Sequence, residues 1–179
     1  MDYVHIYDVL TQARQRLFGW VRPLSQEQYT KQFPFGLGTI RATLVEIARV
    51  ELLYSMRLSG EPLPPPPLGD DFPISEKRQP AFADLEKVWT AQAPQTRATL
   101  AKTTDWTNTV TRRFEQGDKV VVTTVTKDEI PVQMLMHEVH HRAQVMAMLR
   151  QLGVEAQNLD YIGFVAKREE YAKDKAPRP

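Results

Sequence analysis

Three of the four histidines in this sequence fall in one five-residue window, His137-Glu138-Val139-His140-His141. On a helix, residues four apart lie one turn above each other on the same face, so His137 and His141 can offer two imidazoles to one metal ion. His140 is turned about 100° from His141 and stands outside that pair, either supporting it or simply exposed. The surrounding helix is strongly apolar (Val132, Met134, Leu135, Met136, Val145, Met146, Met148, Leu149), so part of the window must face a core. A buried imidazole requires a partner there. The bland alternative is a pair of helix-surface histidines with no ligand.

The window also spells H-E-x-x-H, in which Glu138 would be the general base of a zinc protease. That reading needs a third ligand from a later element and a strand to align substrate. The continuation x-x-G-x-x-H is absent, because Ala143, Gln144 and Val145 lead into an ordinary Met/Leu helix. The acids available for the third position, Glu169 and Glu170, lie in a charged tail. The protease ranks last among the functional readings.

The elements that position the histidines follow from periodicity. Tyr3, Ile6, Leu10, Ala13, Leu17, Trp20 and Leu24 recur at steps of three and four, which predicts an amphipathic helix over 3–24. Gln12, Arg14, Gln15 and Arg16 are expected mostly on its wet side. After a loop at 33–38, Thr39 is the expected N-cap of a second helix over 40–58, stopped by Gly60. A third helix is expected over 81–102 around Phe82, Leu85, Trp89 and Leu100, kinked or broken near residue 93 by Pro94. Residues 106–125 are rich in β-branched types around the turn Glu115-Gln116-Gly117-Asp118 and read as a β-hairpin. The histidine helix starts near 127–129, carries Pro131 in its first turn and ends at Leu152-Gly153. The expectation is an all-α, four-helix bundle with a small hairpin before the last long helix, spanning 1–166, and a charged tail over 167–179.

Composition narrows the function classes. Twenty-three basic and 22 acidic side chains leave a net charge of +1, which gives no general pull toward nucleic acid or an anionic membrane. The absence of cysteine removes disulfides, thiolate ligands and a cysteine nucleophile. The N-terminus lacks the pattern of a secretory signal and no apolar run is long enough to span a bilayer, so a cytoplasmic location is expected. The prolines of Glu61-Pro62-Leu63-Pro64-Pro65-Pro66-Pro67 exclude a helix there; they suit a stiff surface connection better than a ligand for a proline-binding domain.

His137-Glu138-Val139-His140-His141-Arg142-Ala143-Gln144, followed by Met148-Leu149-Arg150-Gln151-Leu152-Gly153, resembles the last-helix signature of the DinB/YfiT superfamily. The segment from Thr39-Ile40-Arg41 to Gly60 is similar to that family's second helix. The likeness covers nearly the whole chain in element order, hairpin included. In the family the second helix supplies the first of three histidine ligands, and the matching position here is Glu46, with Glu51 five residues later. The resemblance therefore implies a metal set of Glu46, His137 and His141, a carboxylate having replaced an imidazole. The alternative is a solvated Glu46 and a lost metal. Ala143, where the family often has glycine, bears on packing and leaves the ligands unaffected.

Glu51 lies about 140° around its helix from Glu46 and is expected to bond a neighbouring group, with a salt bridge to Arg142 as one candidate. Arg142 alternatively meets an anionic substrate. The resemblance implies one divalent metal ion, zinc or nickel first and iron or manganese next. It also implies a small-molecule substrate such as a low-molecular-weight thiol, and S-transferase-like or hydrolase-like chemistry. The second reading is a non-catalytic stress-response or binding protein in which the site is structural or lost. A homodimer through an apolar helical face is compatible with either.

Overall fold

A computed structural model describes residues 1–169. It is mostly helical, with one small antiparallel sheet. Four long helices are α1 (Tyr3–Val21), α3 (Ile40–Ser59), α4 (Phe82–Lys102) and α5 (Glu129–Gln151); the short α2 (Gln26–Thr30) lies between the first two, a hairpin of β1 (Thr109–Gln116) and β2 (Lys119–Thr126) between the last two, and a turn of helix, α6 (Ile162–Val165), follows α5. Each long helix packs against two others, α1 and α3 both touching α4 and α5. No helix among the described residues is long and apolar enough to cross a membrane.

Local chemistry sets the boundaries. Thr39 Oγ1 accepts the Ala42 N–H at 2.9 Å and starts α3, and Gly60 closes it in the left-handed conformation at φ 81°. Ser25 starts the short α2 through a reciprocal capping box with Gln28. The hairpin turns at Gly117-Asp118, with Gln116 paired to Lys119 and Gly117 at φ 61°. Pro94 does not break α4, which runs through it unbroken, with the proline ring exposed to solvent.

Two apolar clusters fill the interior. One gathers Leu17, Phe18, Ile40, Leu44, Ile47, Leu85, Trp89, Val145 and Met148. The other gathers Tyr3, Tyr7, Leu10, Leu58, Leu100, Ile130 and Met134 beside the hairpin. Chain order through these clusters shows that α1 and α5 run one way and α3 and α4 the other. The neighbours α3 and α4 are thus parallel, and the connection 61–81 must return the length of a helix to join them. It is more than a stiff connection, because Phe72 and Ile74 plug into the interior and Gln79 ties back to the Ser75 N–H at 2.8 Å.

Between the two clusters every long helix contributes buried polar side chains: Arg14, Glu51, Gln92 with Thr96, and Glu138 with Arg142. Arg14 is 2% exposed, so the expectation that it lies on the wet side of α1 is corrected. It falls on the stripe Tyr7, Leu10, Leu17, Val21, one turn beyond Leu10, and the fold keeps it there by meeting its charge.

Candidate metal centre

His137 and His141 project from α5 into the groove against α3, as a pair one turn apart, with ring centroids 4.5 Å apart and planes tilted by 68°. Across the groove, Glu46 Oε1 of α3 lies 4.0 Å from His137 Nε2. Its other oxygen is held by Arg49 one turn further on. The His137 and Glu46 side chains are 16% and 24% exposed, so water reaches them. Burial, together with the neighbouring His141 and His140, pushes the His137 imidazole down to about 4 against the opposing pull of Glu46. Its ring is therefore neutral at neutral pH.

Gln144 orders the other two rings. His141 Nδ1–H donates to Gln144 Oε1 at 2.9 Å, which leaves His141 Nε2 with a free lone pair. Gln144 Nε2 donates in turn to His140 Nε2 at 3.0 Å. His140 is exposed and stacks edgewise on His141, at the margin of the pair. The loop before α3 approaches Gln144 closely: Gly36, at φ 60°, leaves room for Gln144 Oε1 only 2.9 Å from where a Cβ would stand.

The chemistry of this donor set, two imidazoles and one carboxylate, suits a divalent ion. The geometry meets it in part. Ligands about 2 Å from a tetrahedral ion lie roughly 3.4 Å apart, so Glu46 and His137 need only a small approach. His141 would have to swing its free Nε2 toward them. Among the described residues no group of three His, Asp or Glu side chains is already gathered as a cage.

The remaining acidic candidates lie elsewhere. Glu138 is 3% exposed and faces the interior, where Arg14 Nε and Nη2 donate to it at 3.2 and 2.6 Å. It does not stand at the histidine pair, which removes the general base from the protease reading. Glu169 is engaged with Lys167, and Glu170 lies outside the described residues, as does the tail from there to 179. Glu51 does not meet Arg142. Its partners are Arg14 Nη2 at 2.5 Å, Tyr7 Oη at 2.7 Å, Trp89 Nε1 at 2.9 Å and Thr96 Oγ1 at 3.0 Å, four donors on one carboxylate.

Two i, i+4 pairs thus share α5. His137 and His141 face the groove, and Glu138 and Arg142, each one residue on, face the interior. Burial raises the Glu138 carboxyl above the usual carboxylate range in spite of Arg14, and the same burial lowers the Arg142 guanidinium. Arg142 makes one long bond, 3.4 Å to the Leu159 carbonyl. Arg14, which joins both buried acids, is the residue that sequence reasoning missed. The signal for it was a charge on an apolar stripe.

The family model described as the DinB family matches residues 1–173 of the chain. No curated protein matches it.

Proposed function

The chain belongs to the DinB family, and from that premise we propose that it is a four-helix-bundle metalloprotein that holds one divalent ion through Glu46, His137 and His141. The observation that carries this reading is the 4.0 Å approach of Glu46 to His137 across α3 and α5, with His141 one turn along. An ion held there would supply a Lewis acid able to bring the pKa of a thiol or water toward neutrality.

The residues present support a functional site more than a structural one. The buried links among Arg14, Glu51 and Glu138 already tie α1, α3 and α5, and Trp89 adds α4, so the fold does not need a metal to join its helices. The His137 and Glu46 side chains are partly exposed, so solvent reaches the site, as a catalytic rather than a closed structural ion requires. Gln144 keeps the His141 ring in the tautomer that presents Nε2, and Gly36 lets the loop close on Gln144. A small thiol is the substrate class we favour, in an S-transferase-like or hydrolase-like reaction. Zinc or nickel suits the donors first, then iron or manganese.

A second reading, a non-catalytic stress-response or binding protein, draws on the ungathered trio and on Arg49 answering the Glu46 charge. One experiment tests the ion on which the first reading rests. Protein purified without a histidine tag is assayed for bound metal by elemental mass spectrometry beside His137→Ala, His141→Ala and Glu46→Ala. Near-stoichiometric metal in the parent and its loss in all three variants is the expected result. No metal in the parent after incubation with zinc, nickel, manganese and iron would refute the metalloenzyme and leave the second reading.

A further inference from the structure

The turn at Gly117-Asp118 fixes which backbone groups of the hairpin face inward. A two-residue turn makes its flanking residues, Gln116 and Lys119, a hydrogen-bonded pair, and the alternation continues through Phe114–Val121, Arg112–Thr123 and Val110–Val125. Val120, Val122 and Thr124 therefore turn their N–H and C=O groups away from β1. The sheet has only two strands, and no other backbone–backbone hydrogen bond among the described residues reaches those three positions. Thr126, next in phase, has its N–H taken by Glu129 Oε2 at 2.9 Å, so the open edge runs from Val120 to Thr124.

Natural sheets guard such an edge with charge, proline, a bulge or a covering element. On β1 the outward positions include Arg113 and Glu115, and the proline-rich connection lies beside that strand, with Pro64 accepting from Arg112 Nη2 at 2.9 Å. The edge of β2 is different. Residues 120–126 carry no charge and no proline, and the register runs without a bulge over eight pairs. Val120 and Val122 are 48% and 56% exposed. An exposed run of uncharged β-branched residues favours strand pairing, and a hairpin gains stability when further strands join it.

We propose that the open edge of β2 pairs antiparallel with the same edge of a second copy, joining the two hairpins into one four-stranded sheet. The stretch is its own complement. With a twofold axis at Val122, Val120 falls opposite Thr124 of the partner subunit, Val122 falls opposite Val122 of the partner subunit, and each pair exchanges both backbone bonds. The paired side chains are β-branched and no like charges meet. A foreign strand would be selected by pockets for its side chains. The clefts at the hairpin are lined from β1 and Val125, away from 120–124. The guarded edge of β1 closes the assembly at two copies. This pairing is independent of the metal reading.

The test is sedimentation velocity of the full chain across the micromolar range, with a chelator present so that no shared ion links the chains. A concentration-dependent dimer with micromolar dissociation is expected, as suits an interface at the small end of specific contacts. Val122→Pro removes an N–H that the hairpin itself does not use, and Val122→Lys sets like charges against each other at the axis. Each should weaken dimerisation by roughly tenfold or more. Val122→Lys leaves every bond between β1 and β2 in place, so its loss of association is not a failure to fold. Met136→Lys, on the exposed face of α5, should leave association unchanged. Amide exchange at Val120, Val122 and Thr124 should slow as concentration rises, while Val121 and Thr123, already bonded to β1, keep their rates. A monomer at every concentration, association untouched by Val122→Lys, or association lost through Met136→Lys, as a dimer through the α5 face would require, would each overturn the proposal.

Discussion

Replacing Arg14 by methionine keeps much of the side-chain volume and removes the one cation shared by two buried carboxylates. Glu51 would retain three donors, from Tyr7, Trp89 and Thr96, whereas the Glu138 carboxylate would lose both hydrogen bonds that it accepts among the described residues. Breaking a buried pair from one side typically costs about 3–5 kcal/mol, because an uncompensated charge stays behind. For a chain of this size that corresponds to a fall in Tm of roughly 6–20 °C. The loss should depend on pH in a fixed direction. The Glu138 carboxyl already lies above its usual range, and without Arg14 it rises further. The folded variant then binds a proton that the unfolded chain has released, so stability falls as pH rises between the ordinary and the raised value. The deficit against the parent is therefore smallest near pH 5 and widens toward pH 8. Urea unfolding followed by tryptophan fluorescence, at several pH values, measures both quantities. An Arg14→Met midpoint within about 1 kcal/mol of the parent, or a deficit that narrows with rising pH, would refute the reasoning. Arg22→Ala, at a half-exposed pair with Glu86, is the control and should cost no more than about 1 kcal/mol.

Three other substitutions test the positioning elements. Gly36→Ala forces a Cβ onto Gln144 at a positive φ and should destabilise by about 1–2 kcal/mol, with changed imidazole NMR signals for His141. Signals identical to the parent would separate the loop from the histidine pair. Pro94→Ala restores a missing N–H inside a continuous helix at an exposed position and should raise stability by about 1–3 kcal/mol in the same unfolding assay; a loss would mean that the ring packs usefully against α1. Thr39→Ala removes the cap of α3 and should cost about 1 kcal/mol, read as a lower Tm and faster amide exchange in its first turn.

Where the local code is strong, sequence and structure coincide. Thr39 and Gly60 bracket α3, Gly117 turns the hairpin, and the i, i+4 spacing puts His137 beside His141, because caps, turns and helical phase depend on neighbours in the chain. The partners of Glu51 and Glu138 depend on which helix arrives opposite, and that is a tertiary fact. Even so, positions 7, 10, 14, 17 and 21 keep strict helical phase, so Arg14 is legible as buried once phase outweighs polarity. Phe72 and Ile74 were hidden for the opposite reason: no periodicity surrounds them in a connection dominated by proline and charge. Whether His141 and Glu46 converge on an ion is set by side-chain rotation, which no spacing encodes.

The layer of charges between the two apolar clusters also restricts how the molecule moves. Helices packed through alkyl groups alone can slide along one another with little change in contact. Here an axial shift of α5 by one turn, about 5.4 Å, would carry Glu138 away from Arg14 and leave its carboxylate facing hydrocarbon. The belt acts as a detent that fixes α1, α3 and α5 lengthwise. Access to the histidine pair must then be governed by swinging side chains and by the loop at Gly36, with the helices as a stationary frame.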